Sequence, residues 1–121
     1  ILPGDQYWEN WKSYPFSATS WNHRPLAVQV WALAYRSGEA WNEFGWSNPD
    51  FDALLSDALS IADAEARRET AVKLQRLLQQ DAVTIQPYWR ALYRHAKPGL
   101  IGTDVHIAFE HHHTDWAWAA P

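Results

Sequence analysis

The sequence predicts a mixed α/β (α+β) fold in which a helical hairpin is combined with short strands. Three observations carry this. Apolar residues recur at helical spacing over 26–35, from Phe51 to Ala62, and again after Asp63. Stretches at 16–21 and 83–86 alternate in the period of a strand, with shorter candidates at 91–95 and 105–109. Proline and glycine punctuate the joints, at Pro15, Pro25, Gly38, Pro49, Pro87 and Gly99.

Taken in order, Tyr7, Trp8, Trp11 and Tyr14 mix rings with polar groups in no regular period. After Pro15, the alternation at 16–21 predicts a short strand that runs into a loop at 22–25. Pro25 suits the first position of the following helix, where a missing N–H costs nothing. That helix, 26–35, is apolar on most sides and is expected to be buried. Ser37 and Gly38 stop it, and Arg36 lies near its negative end. A ring-rich loop covers 39–47. Asn48 is a good N-cap ahead of Pro49, and Phe51, Leu54, Leu55, Ala58 and Ala62 form one apolar face. Asp50, Asp52, Ser56 and Ser60 fall off that stripe. Asp63 caps the next helix, whose inner face is Ala71, Leu74, Leu77 and Leu78. On its outer face Glu69 and Lys73 form an i,i+4 pair, worth only a few tenths of a kcal/mol when exposed. Pro87 disfavours a central position for the strand before it, and Lys97-Pro98-Gly99 reads as a turn.

Composition narrows the function. With 121 residues, 47% hydrophobic and 20% charged, the chain is globular and the size of one domain. A net charge of -4 with no basic run gives no reason to expect nucleic acid or an anionic membrane surface as a partner. No apolar stretch approaches the ~20 residues of a membrane helix. The absence of cysteine excludes disulfides and thiolate chemistry. Methionine is also absent, and Ile1-Leu2-Pro3-Gly4 lacks the marks of a signal peptide, so a fragment or processed chain is expected. Nine tryptophans are the outlier. Such rings fill a core or a lobe interface, or form a platform that stacks on a ligand.

Chemistry is poorly represented. There is no Gly-x-Ser-x-Gly elbow and no phosphate-cradling glycine loop. Asp50 with Asp52, and Glu65 with Glu69, read as helix-start charges favoured by the dipole. No enzyme activity and no cofactor are therefore expected. His106, Glu110, His111, His112, His113 and Asp115 are the residue types of a metal site. Consecutive histidines in an extended segment point to alternate faces, so at most His111 and His113 could share an ion, and no metal is expected. Tyr88 and Trp89, in the aromatic-basic run 86–90, are expected to serve as packing residues first and as cleft residues second.

The run Asn42-Glu43-Phe44-Gly45-Trp46-Ser47-Asn48-Pro49-Asp50-Phe51-Asp52-Ala53-Leu54-Leu55 carries a resemblance. It is followed by the helix start Asp63-Ala64-Glu65-Ala66-Arg67-Arg68 and by Leu77-Leu78-Gln79-Gln80-Asp81-Ala82. In this order the chain resembles the C-terminal part of the family 5 extracytoplasmic solute-binding proteins, the dipeptide, oligopeptide and nickel receptors of ABC importers. The resemblance implies part of a two-lobed periplasmic binding protein type 2 fold. About 1–95 would lie in the second lobe and about 96–121 would cross back toward the first. It implies capture of a peptide-like or other small polar solute between lobes and delivery to a membrane permease. The implied partners are the ligand, the first lobe in the remainder of the receptor chain, and the ABC permease. The implied location is periplasmic or extracytoplasmic, membrane-associated through the transporter.

Trp21-Asn22-His23-Arg24-Pro25 stands at a strand-to-helix loop, where binding residues concentrate. The resembled family places there a Trp followed within a few residues by an acid, which holds the ligand's α-amine. This sequence departs from that pattern, offering His23 and Arg24 and no acid. A cation repels an ammonium, whereas Arg24 suits a carboxylate or phosphate. The expected ligand-binding residues are Trp21 by ring stacking and Asn22, His23 and Arg24 by polar or ionic selection. An alternative reading is a free-standing Trp-rich carbohydrate-binding module. A metal-dependent hydrolase built on the histidine cluster is a third.

Overall fold

A computed structural model describes residues 2–91, 93–104 and 114–119. Its elements are α1 (Gly4–Asn10), α2 (Ala27–Ala34), α3 (Pro49–Ser60), α4 (Ala64–Gln80), β1 (Leu100–Ile101) and β2 (Ala117–Trp118). They fall into two compact units, Ile1–Asn22 with Leu26–Ile85, and His23–Pro25 with Gln86–Pro121.

The first unit is built on α2, α3 and α4. The α3 helix starts where Asn48 turns its side-chain oxygen onto the N–H groups of Asp50 and Phe51 at 3.0 and 3.1 Å, with Pro49 as first helical residue. Its apolar stripe buries Phe51, Leu55 and Ala58 completely, while Asp50 and Ser56 remain exposed. Asp63 caps α4 by accepting from Ala66 N–H at 2.8 Å. Leu74 of α4 is fully buried against α3, and Ala71, Leu77 and Leu78 pack around it. Val28 and Trp31 of α2 close the cluster. Each fully buried Leu or Phe contributes on the order of 1.5–3 kcal/mol over an exposed one.

Polar side chains tie the hairpin at both ends. At the α3–α4 connection, Arg67 donates from Nε to the Ile61 carbonyl and from Nη2 to that of Ala62, both at 2.8 Å. At the other end, one oxygen of Asp81 accepts from Trp46 Nε1 at 2.9 Å and from Asn48 Nδ2 at 3.2 Å. Asp52 accepts from Ser37 N–H at 3.1 Å and so links α3 to the chain leaving α2. On the outer face of α4 the ion pair is Arg68–Glu65 at 3.6 Å. The expected Glu69–Lys73 pair is not formed among the described residues.

Several expectations are corrected. Residues 4–10 form a short helix, masked in the sequence by the irregular spacing of its rings. The strands expected at 16–21 and 83–86, and the described part of 91–95, are not strands. Alternation supplies faces, but a strand exists only when a neighbour takes its hydrogen bonds. Pro25 precedes the N-cap, which is Leu26, and does not occupy the first helical position. Ala62 lies beyond the end of α3 and is exposed. Tyr88 and Trp89 are 68% and 88% exposed, so within this chain they are not packing residues.

In the second unit β1 and β2 pair antiparallel, with Leu100 opposite Trp118 and Ile101 opposite Ala117. The turn expected at 97–99 leads into this ladder, with Leu100 N–H donating to the Lys97 carbonyl at 3.1 Å. Gly102 sits at φ +75°, and a Cβ there would lie 2.1 Å from the Asp115 carbonyl oxygen, so the close approach of the two segments requires glycine. The strand expected at 105–109, with the histidines at 106 and 111–113, lies outside the described residues.

Candidate functional site

In the first unit the predicted ligand residue Trp21 joins a carboxylate, that of Glu43, to a series of rings. Trp21 is half-buried, and its Nε1–H donates to Glu43 Oε1 at 2.9 Å. The second carboxylate oxygen, Oε2, accepts from the Thr19 hydroxyl. Among the described residues Glu43 makes no ion pair, and Lys12 donates to the Ala40 carbonyl at 2.9 Å. The sequence offers no acid beside Trp21, yet the fold supplies one from a position 22 residues away.

Glu43 is held in place by its own loop. Asn42 donates from Nδ2 to the carbonyls of Arg36 at 3.1 Å and Trp46 at 2.8 Å, and accepts from Phe44 N–H at 3.2 Å. The Phe44 ring stacks on Tyr35, with centroids 4.6 Å apart. Tyr35 in turn has its phenol pKa raised, chiefly by burial. The Thr84 hydroxyl opposes that shift, while the negative charge of Glu43 adds to it.

Beyond Trp21 the rings continue in a series. Trp41 meets Trp21 edge-on at 5.9 Å, Trp11 meets Trp41 at 6.0 Å, and Trp8 meets Trp11 at 5.7 Å. Tyr7 and Tyr14 extend it. Trp8 and Trp41 are 55% and 52% exposed, so the series is only partly a core.

The other expected site residues are Asn22, His23 and Arg24, all exposed and in irregular backbone. Trp21 and Asn22 belong to the first unit and His23 and Arg24 to the second. One contact of Arg24 is local, with Nη1 donating to the His23 carbonyl at 3.1 Å. Among the described residues no group of three or more His, Cys, Asp or Glu could hold a metal ion. His106, Glu110, His111, His112 and His113 lie outside them.

The chain is similar to a periplasmic ligand-binding protein. That relative, from Escherichia coli (strain K12), carries the name "Probable deoxycholate-binding periplasmic protein YgiS". Identity is 27% over 106 residues, which is 79% of this chain and 20% of the relative. The chain therefore spans about a fifth of the length of the curated relative it matches. No family model and no solved structure matches it. Among the described residues no helix is long and apolar enough to cross a membrane.

Sequence reasoning set Thr19 on the same face as Trp21 but missed Glu43, which both residues bind, and Trp41. The only signal for Glu43 and Trp41 was the density of rings at 39–47, which marks a loop worth following without saying what it touches.

Proposed function

We propose that this chain is part of the solute-binding component of an ABC importer, contributing to a lobe that helps capture a small solute for delivery to a membrane permease. The observation that carries this reading is the 106-residue likeness to a deoxycholate-binding periplasmic protein. The order of motifs between Asn42 and Ala82 accords with it. The mechanism makes and breaks no covalent bond. A ligand enters between lobes, closure buries it, and the closed form docks on the permease. In this chain Trp21 contributes ring area, Asn22 and His23 polar contacts, and Arg24 a planar fork for a carboxylate. The solute class covers peptide-like molecules and amphipathic carboxylates such as deoxycholate.

The exposed rings of Trp8 and Trp41 favour a second reading, a Trp-rich carbohydrate-binding module. Sugar-stacking platforms present ring faces in one plane. Here neighbouring rings from Trp8 to Trp21 meet at 62–69°, the geometry of mutual edge-to-face packing, so the receptor reading is preferred. Tryptophan fluorescence titrations with sodium deoxycholate below its micellar range, with trialanine and with cellohexaose separate the two. The receptor reading expects a saturable change with deoxycholate or trialanine that is diminished in Trp21→Phe. Saturation by cellohexaose alone transfers the chain to the second reading, and silence toward all three removes this segment from ligand contact.

A further inference from the structure

An indole has one polar atom, its Nε1–H donor. In Trp21 that donor is already engaged by Glu43 at 2.9 Å, in a hydrogen bond strengthened by the carboxylate charge. The same carboxylate is gripped from the same segment by the Thr19 hydroxyl, and Trp41 closes against the ring edge-on at 5.9 Å. Rotation of the Trp21 ring would break the bond to Glu43 and leave a half-buried carboxylate with one donor fewer.

We propose that Glu43 is a positioning residue that fixes the Trp21 indole and restricts what this ring recognises to an uncharged, apolar face of the solute. The inference rests on the reading of Trp21 as a ligand contact and narrows it in two ways. The ring has no N–H left to offer an acceptor on the ligand. A negative charge one hydrogen bond away repels any anionic group brought against the ring. An amphipathic carboxylate would meet Trp21 through its hydrocarbon skeleton, with its charged end directed elsewhere.

Nitrogen-15 labelling of the tryptophans in this chain provides the test, with the Trp21 indole signal assigned by its loss in Trp21→Phe. In Glu43→Ala that signal should move, and its exchange with solvent should quicken by roughly tenfold or more, as expected for loss of a charge-assisted bond. Deoxycholate affinity should fall by about tenfold, the equivalent of about 1.4 kcal/mol. Glu43→Gln keeps an oxygen acceptor and should restore most of both. The Trp46 indole signal, which reports the Asp81 contact, should stay in place in all variants and serves as the control for folding. An unmoved Trp21 signal in Glu43→Ala overturns the proposal, as does a moved signal with unchanged affinity. If the unsubstituted chain binds neither deoxycholate nor trialanine, the receptor reading fails and the specificity claim fails with it. The indole response of Glu43→Ala then shows whether the tether itself survives.

Discussion

Tyr35 shows how much one side chain reports about its surroundings. Its phenol is pushed above its ordinary value of 10.0, mainly because burial disfavours the phenolate. Below pH 10 the phenol is protonated in the folded and unfolded chain alike, and the contribution is fully present. As pH rises past 10, the unfolded phenol ionises first, the unfolded state gains, and stability falls until the folded phenol ionises too. Urea midpoints at pH 9 and pH 11 should therefore drop further for the natural chain than for Tyr35→Phe. Equal drops would show that Tyr35 keeps an ordinary pKa in the fold. None of this was readable at Tyr35 itself. The sequence placed it at the end of an apolar helix, while its partners Phe44, Thr84 and Glu43 come from segments that only folding assembles.

At the scale of elements, the two long helices were legible because every signal agreed. Cap, first-turn proline and apolar stripe all pointed to α3, and Asp63 with Leu74, Leu77 and Leu78 to α4. The strands were not legible, because alternation at 16–21 and 83–86 describes side-chain faces and says nothing of a pairing partner. The helix at Gly4–Asn10 was missed for the converse reason, since Tyr7, Trp8 and Trp11 make ring contacts more than they fill a core. The end of α4 carries a second prediction. Ala82 N–H bonds to the Gln79 carbonyl and Val83 N–H to that of Leu78, both at 3.2 Å. This is the closure in which the residue after the C-cap turns left-handed and glycine is usual. Here that residue is Ala82, at φ +49°. Ala82→Gly should raise stability by about 1 kcal/mol, because the Cβ clash of the left-handed conformation is relieved. A lower midpoint in urea would show that the strain is absent.

For the molecule as a whole, the imbalance between covered and uncovered apolar surface is the main feature. Among the described residues the buried core is a small set from α2, α3 and α4, whereas Phe16, Ile85, Trp89 and Tyr93 are each more than 80% exposed. Large exposed apolar groups mark surfaces that meet something else. Phe16 and Ile85 belong to the first unit and Trp89 and Tyr93 to the second, so each unit presents such groups of its own. Purified alone, this chain should self-associate, so sedimentation velocity should show a mass that rises with concentration. A single 14.0 kDa species at all concentrations would mean that these side chains are tolerated in water. The resemblance between 42 and 82 was legible because its motif is local. The Trp21–Glu43 contact was not, because it joins two loops that the sequence describes separately.

The Asp81 clasp has a dynamic consequence. Asn48 uses its oxygen to start α3 and its NH2 group to bind the carboxylate that ends α4. One amide thus joins the positive end of one helix to the negative end of the next, and its orientation cannot be reversed without losing both roles. The first turn of α3 and the last turn of α4 would then open to solvent as one cooperative event, where separate caps would let each fray on its own.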